Sequence, residues 1–428
     1  MQVRLEANDH TLLYHFTVEA GDREVIRAAD GREKARFLGG TVHYDLPEEW
    51  RLGDTHPDLL GAVAVALAGD FAGQRIQLSF PVSDTFRERI GAVYKWSVEP
   101  VDGQLKPRKL VGTSRMGLCF SGGVDSTAAL SLVPKDAALV FLDRAEPLGA
   151  SRDSMYDKDA PLRACKVLRQ MGREVWPIAT DVEYLRKPVG FMNDLAMSTP
   201  LMLLADWLHV DATAYGLILE SSYLNKAFKF REYAQTRHWQ RYGTVAAAAG
   251  VPWNLITAGL SEVVTTRLVL DSPLLHVAQS CIRGPFGAPC LNCWKCFRKS
   301  LLEATIAGDT LAPEVLNRYF DIHEAHKKLE EVPIKHEDVM MFILQRYRGR
   351  HPGMSALRRE LRADDVDLTW IERWFHPARE VLADRYAVES ETRITRAVSP
   401  MSAADVENVR HWDRIAAAEA AGRTVSPH

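Results

Sequence analysis

Ser121-Gly122-Gly123-Val124-Asp125-Ser126 follows an apolar run, Met116 to Phe120, and precedes a helix-forming run, Thr127 to Leu132. That order predicts a strand, an anion-binding loop and a helix. Two glycines let the backbone approach an anion closely, and Ser121, Ser126 and the first free amides of the helix can donate to phosphate oxygens. A triphosphate is the guest this arrangement suits. The competing reading is an ordinary strand-to-helix turn, for which serine, glycine and aspartate are favoured on local grounds.

The loop has no Gly-Lys-Ser/Thr ending of the Walker type, and Cys119 stands where a nucleophile elbow needs glycine. No dinucleotide Gly-x-Gly-x-x-Gly follows the strand either. GTPase-type phosphoryl transfer, serine hydrolysis and hydride transfer are therefore disfavoured. The hexapeptide resembles the PP-loop of the ATP pyrophosphatase superfamily, Ser-Gly-Gly-x-Asp-Ser, in every fixed position. The resemblance implies cleavage of ATP between its α and β phosphates, transfer of AMP to a substrate oxygen, release of pyrophosphate, and attack of a nucleophile on the adenylate. Ser121, Asp125 and Ser126 become the catalytic candidates, and Ser121, Gly122, Gly123, Val124, Asp125 and Ser126 together the nucleotide cradle. Asp125 is the carboxylate expected to assist Mg2+, with helix capping as its alternative role.

Cys281, Cys290, Cys293 and Cys296 form a C-x8-C-x2-C-x2-C cluster, four of the chain's six cysteines. Thiolates at that spacing can bend around one ion, and four sulfurs close a tetrahedral structural zinc site, one ion per chain. Disulfides and an iron-sulfur cluster are the alternatives. Cys119 and Cys165 fall in an expected strand and helix, where buried inert thiols are ordinary. His276 reads as a loop or core histidine rather than a fifth ligand.

A PP-loop near the start and C-x2-G-x5-C-x2-C-x2-C near the end together resemble the QueC family, which makes 7-cyano-7-deazaguanine. Cys281-Ile282-Arg283-Gly284 matches that family's Cys-x-x-Gly start, and Lys299, with Arg298 adjacent, stands where the family usually has arginine. The resemblance covers about residues 115 to 305 and implies a HUP-like (adenine nucleotide α-hydrolase-like) parallel sheet. It departs from the family at Met192-Asn193, at Tyr223-Leu224-Asn225-Lys226-Ala227 and at Leu291. The first two lie where substrate recognition is expected, so the acceptor is expected to differ.

Apolar strand-like runs alternating with helical ones predict an α/β domain. Val140 to Asp143, Glu174 to Ile178 and Thr213 to Leu219 read as strands; Leu162 to Met171 and Leu195 to Leu208 read as helices. Ligands gather at the carboxyl ends of such strands, which brings Asp143, the Asn193 to Thr199 segment, and Gly216 with Glu220 to the same cleft as the loop. Asp143 and Gly216 join the nucleotide-binding candidates. Residues 223 to 242 interleave basic and aromatic side chains and read as an amphipathic helix, the alternative being a platform for a heterocycle or a nucleic acid strand.

With 428 residues, of which 46% are hydrophobic, more than one core can be filled. We expect an α+β domain over 1–110, the α/β nucleotide domain over 111–305 and a helical region over 306–428. In the first, Thr11 to Val18, Glu24 to Ala28, Arg75 to Phe80 and Ala92 to Ser97 read as strands around one helix, Pro57 to Phe71. In the last, Val339 to Tyr347, Met354 to Leu361 and Leu368 to Ala383 read as helices, with Trp370, Trp374 and Phe375 in the core. A formal net charge of −3 gives no global footprint for nucleic acid, and no apolar run approaches the roughly 20 residues that span a bilayer. The cytoplasm is the expected compartment.

The expected activity is a QueC-like ligase with ATP, Mg2+ and structural Zn2+. It would adenylate a carboxylate, 7-carboxy-7-deazaguanine by resemblance, and pass the acyl group to ammonia or to an amine of a partner protein. The alternatives are an RNA-thiolating PP-loop enzyme and a non-catalytic ATP-binding subunit of a regulatory or antiviral defence complex. The long flanks resemble QueC-like branches found in antiviral gene clusters.

Overall fold

The computed structural model describes residues 1–28, 31–110, 112–148, 159–281 and 283–426. Its strands are, in chain order, β1 (Gln2–Asn8), β2 (Thr11–Thr17), β3 (Val25–Arg27), β4 (Glu33–Phe37), β5 (Gly40–Asp45), β6 (Arg75–Ser83), β7 (Ser97–Asp102), β8 (Arg115–Phe120), β9 (Ala138–Arg144), β10 (Val175–Thr180), β11 (Arg186–Lys187), β12 (Val210–Ala214) and β13 (Trp253–Asn254). Ten of them form one mixed sheet in the order β13-β12-β8-β9-β10-β5-β2-β1-β6-β7, and β11-β4-β3 form a small second sheet. From β13 to β10 every neighbouring pair is parallel. Five of the six residues of β8 are buried, the continuous apolar pattern of a strand covered on both faces. The α/β class expected from the alternating runs is what forms.

Among the described residues, eight α-helices precede residue 310: α1 (Pro57–Ala68), α2 (Asp84–Tyr94), α3 (Val124–Leu132), α4 (Asp159–Gln170), α5 (Thr199–Leu204), α6 (Thr244–Ala248), α7 (Glu262–Leu270) and α8 (Trp294–Ala307). Beyond them the chain is helical, beginning with α9 (Pro313–Phe320), α10 (His323–Leu329), α11 (Glu337–Arg346) and α12 (Pro352–Glu360). Trp370, Trp374 and Phe375 are buried as expected.

Five of the seven strands before residue 110, β1, β2, β5, β6 and β7, continue the same sheet. β5 pairs antiparallel with β10, placing Tyr44 opposite Thr180 and Asp45 opposite Ala179. The Tyr44 hydroxyl donates to Thr199 Oγ1 at 2.9 Å, and Trp50 Nε1 donates to the Leu203 carbonyl at 2.9 Å. The basic stretch leading into β8 is also tied down: Arg108 is buried and pairs with Asp206 at 2.8 Å while donating to the Gly250 and Val210 carbonyls. One apolar core runs from Val3 through Leu201 to Phe375.

Several local expectations are corrected. The strand expected at Thr213 to Leu219 ends at Ala214, because the Tyr215 and Leu217 carbonyls accept from Thr257 Oγ1 instead of a neighbouring strand. Leu195 to Leu208 splits into a 3-10 turn, Asp194–Ser198, and the short α5, which Pro200 restarts at its first turn. Only Ser97 of the strand expected at Ala92 to Ser97 is extended, as the start of β7; its first half is the end of α2, which starts on the Ser83 hydroxyl accepting from Phe86 N and stops at Lys95 with φ +68°. Leu368 to Ala383 forms 3-10 turns, Thr369–Glu372 and His376–Val381, since Pro377 has no amide to extend a helix.

The helix expected over 223–242 forms only toward its end, as a 3-10 turn at Tyr233–Gln235 and a π-helical stretch at Trp239–Gly243 that leads into α6. Asn225, Lys226 and Ala227 take φ of +44°, +66° and +66°, a left-handed run costly for residues with a Cβ. The Glu220 carbonyl holds it by accepting from Lys226 N and Ala227 N. Most of the segment's basic side chains are engaged internally: Lys229 with Asp413 and Arg241 with Asp70, each at 2.8 Å, and Arg231 with the Ser221 and Ser222 carbonyls.

Candidate functional site

β8 delivers the chain to Ser121, and α3 begins at Val124 with Gly123 as an extended N-cap that makes no side-chain capping bond. Gly122 turns the loop at φ +73°, a conformation few other residues take, and its carbonyl accepts from Gln279 N at 2.7 Å. The Ser126 hydroxyl accepts from Ser121 N at 3.2 Å, lies 2.9 Å from Ser121 Oγ and donates to the Gly123 carbonyl at 3.1 Å. The loop is thus a closed ring of small polar groups at the positive end of α3, where an anion is favoured.

A cavity of about 260 Å³ opens at the carboxyl ends of β8, β9 and β12. Ser121, Gly123 and Ser126 line it, as do Asp143, Arg144, Phe191, Met197, Tyr215, Gly216, Gln279 and Lys295. Gly216 is needed for close approach: a Cβ there would lie 2.8 Å from Ser126 N and 2.9 Å from Ser126 Cα. A larger depression of about 660 Å³ lies among the C-terminal turns, but its three arginines are already paired, Arg267 and Arg346 with Glu372 and Arg373 with Asp405.

Ser121, Gly123, Ser126, Asp143 and Gly216 therefore converge on one cavity. The remaining loop residues face elsewhere. Val124 packs with Ala128 and Val269, and Gly122 serves the turn. Asp125 does not cap α3: its Oδ1 accepts from Thr265 Oγ1 at 2.9 Å and lies 3.5 Å from Lys299 Nζ. Glu220, expected in the cleft, is buried and accepts from Glu262 N at 2.8 Å. Asn193 accepts from Ala196 N and donates to the Ala66 carbonyl, a structural role outside the cavity.

Behind the loop lies a buried charged cluster centred on Glu262, with Lys299 Nζ and Arg298 Nη2 at 2.9 Å from Oε1 and His336 Nδ1 at 3.0 Å from Oε2. Burial alone would raise the Glu262 pKa, but Arg298, Lys299 and His336 together hold it well below the carboxylate range. Burial and the Arg298 charge press His336 down to about 4. Burial pushes Asp338 up to about 7 and raises Glu220 well above its ordinary value.

The four cysteines come together, their sulfurs all within 4.8 Å of one another. Cys281 and Cys293 are 3.9 Å apart, Cys290 and Cys296 3.6 Å, and Cys293 and Cys296 3.5 Å. These separations are far from a disulfide bond and close to the roughly 3.8 Å edge of a tetrahedron of sulfurs about one ion, given arms of about 2.3 Å. Arg283 N and Cys296 N donate to Cys281 Sγ and Cys293 Sγ, each at 3.4 Å. His276 is exposed and outside the cluster. Cys119 and Cys165 are buried free thiols, both with pKa pushed up by burial.

The cysteine element and the loop are stitched together twice. Gln279, two residues before Cys281, bonds the Gly122 carbonyl, and Lys299, three after Cys296, reaches Asp125. Lys295 lies between Cys293 and Cys296 at the start of α8 and presents an exposed side chain to the cavity, although the surrounding protein and the Lys299 charge lower its pKa. Met197 lies in the Asn193 to Thr199 segment expected at the cleft, whereas Lys295, Gln279, Arg144, Phe191 and Tyr215 are lining residues that sequence reasoning missed. A readable signal existed only for Lys295, which stands one helical turn before Lys299.

Residues 241–413 match a family described as a family of unknown function (DUF6395), a stretch that includes the four cysteines, α7, α8 and α11. No curated protein and no solved structure matches the chain.

Proposed function

We propose that this chain is an ATP-dependent ligase of the PP-loop type, QueC-like, that adenylates a carboxylate and transfers the acyl group to an amine or ammonia. The observation that carries the reading is the meeting of Ser121, Gly123 and Ser126 with Asp143, Gly216 and Lys295 around one cavity at the strands' carboxyl ends. A carboxylate oxygen of the acceptor attacks the α phosphorus of ATP, the bond from that phosphorus to the oxygen bridging to the β phosphate breaks, and pyrophosphate leaves. An amine nitrogen then attacks the acyl carbon, displaces AMP and loses a proton. The loop amides and the Ser121 and Ser126 hydroxyls hold the anionic oxygens, which is catalysis by placement and electrostatics.

The cysteine cluster would hold one structural Zn2+, with Cys281, Cys290, Cys293 and Cys296 closing its coordination shell. Asp125 Oδ1 is engaged by Thr265 and Lys299, so Oδ2 is the oxygen that would assist the Mg2+ accompanying ATP. The acceptor implied by the resemblance is 7-carboxy-7-deazaguanine, and an amine on a partner protein is the nucleophile we favour over ammonia. Incubation with ATP, this acid and ammonium, followed by nucleotide and pyrophosphate assays and mass spectrometry, tests the scheme. Acid-stimulated AMP and pyrophosphate are expected; ADP and phosphate as products would overturn it. Efficient conversion of the acid to its amide with ammonium alone, or to the nitrile when a second ATP activates the amide oxygen for loss, would remove the need for a protein amine.

A further inference from the structure

Lys295 is held in an unusual way for a surface lysine. It is flanked by two of the four cysteines, Cys293 and Cys296, and Cys293 is itself the N-cap of α8, its sulfur accepting from Cys296 N. One turn on, Lys299 is fixed by Asp125 and Glu262. Its neighbour Trp294 is buried and stacked on Phe297. The backbone at Lys295 is thus pinned on both sides while its side chain stays exposed and lines the same cavity as Ser121, Gly123 and Ser126.

Lys299 and Arg298, the other cations of this helix turn, are buried and spend their charge on Glu262. Lys295 has no ion-pair or hydrogen-bond partner among the described residues. The loop contains no lysine of its own. A loop of amides and hydroxyls can orient a polyphosphate, but a point charge is needed to neutralise it effectively.

We propose that Lys295 binds the β and γ phosphates of the nucleotide, and then the departing pyrophosphate, so that the cysteine element supplies a ligand-binding cation as well as a fold-stabilising clasp. The assignment rests on the nucleotide reading above and adds to it a named contact. It makes metal occupancy a determinant of polyphosphate affinity, because Lys295 is placed by the segment between two metal ligands. No covalent change at Lys295 is involved.

The test is calorimetric titration of the full-length, metal-loaded protein with α,β-methylene-ATP, pyrophosphate and AMP. Lys295→Ala and Lys295→Gln should weaken the first two by at least about tenfold, the loss expected for one charge-assisted hydrogen bond. AMP should change less than about twofold, and Lys295→Arg should restore most of the affinity. Unchanged affinity for α,β-methylene-ATP in Lys295→Ala would overturn the assignment while leaving the nucleotide reading intact. Equal weakening of all three ligands would overturn it in favour of a structural role. Failure of the wild-type protein to bind any of them would remove both. Should the variants lose metal or fold, the wild type decides: pyrophosphate must protect Lys295 from acetylation, read by mass spectrometry, while exposed Lys229 stays reactive. Absence of that protection overturns the proposal.

Discussion

Lys299 lies beneath the glycine loop with its ammonium 2.9 Å from Glu262 Oε1 and 3.5 Å from Asp125 Oδ1. Both partners belong to other elements, α7 and the first turn of α3, so one buried cation joins three helices behind the cavity. The loop's placement therefore depends on charges that do not line the cavity.

Glu262 is the counter-ion on which this arrangement turns, because it serves Arg298, Lys299 and His336 at once. Glu262→Gln would leave two buried cations with one poorly placed carboxylate between them. Breaking a buried pair costs about 3–5 kcal/mol. We expect a loss of that order in urea denaturation, and a change under about 1 kcal/mol would show that water already screens the cluster.

Asp338 gives a pH signature. Its folded pKa, near 7, lies above the unfolded value of about 3.9. The folded state holds the proton more tightly, so this group's contribution is fully present below about pH 4 and is lost as pH rises to 7. Asp338→Asn, which mimics the protonated acid, should be more stable than wild type, with a gap that widens from pH 5 to pH 7 by up to about 1.4 kcal/mol per unit and then levels off. Melting curves across that range would contradict the assignment if the gap stayed constant.

Metal analysis should return one zinc per chain, and Cys293→Ser should lower both metal content and melting temperature, since binding energy at a closed four-sulfur site is folding energy. The double stitching of this element to the loop, through Gln279 and Lys299, adds a second consequence. Nucleotide affinity should fall along with stability in Cys293→Ser. A variant without metal that melts as wild type does would refute the structural role.

Legibility in the sequence followed the strength of the local signal. The strand, loop and helix around Ser121 to Ser126 were readable because apolar run, glycines and helix formers all agree, and the four cysteines because their spacing is short and regular. Leu368 to Ala383 misled because its apolar spacing fits a helix while Pro377 forbids one, and Thr213 to Leu219 because β-branched and apolar residues continue past the point where Thr257 captures the chain. The rule for strand ends places the Asn193 to Thr199 segment and Glu220 in the cleft; Met197 does line it, but Asn193 and Glu220 spend their polar groups on distant backbone, Ala66 and Glu262. Such long-range partners leave no trace in local pattern. Lys295 was hidden for a related reason: its meaning comes from the cavity it shares with Ser121, Gly123 and Ser126, not from its neighbours in sequence.

Gly216 offers the sharpest test of the cavity itself. β12 ends two residues earlier at Ala214, and the chain then passes so close to α3 that a methyl group on Gly216 would meet Ser126 N at 2.8 Å, Ser126 Cα at 2.9 Å and the Asp125 carbonyl carbon at 3.0 Å. All three are backbone atoms, which cannot swing aside as a flexible side chain can, so Gly216→Ala must push α3 away from β12 or bend the segment after Ala214. Overpacking of this kind costs about 1–3 kcal/mol. The displaced atoms carry the Ser126 amide and hydroxyl that hold the loop closed on Ser121, so the damage falls on the anion site. We therefore expect Gly216→Ala to melt only a few degrees below wild type while losing at least about tenfold in affinity for α,β-methylene-ATP, since a shifted loop forfeits one or more hydrogen bonds to phosphate. Ala205→Gly, in the buried turn after α5, serves as a control for small changes in packing and should leave affinity unchanged. Full affinity in Gly216→Ala would mean that the loop amides and Ser126 do not contact the ligand, and the anion site would have to be sought elsewhere.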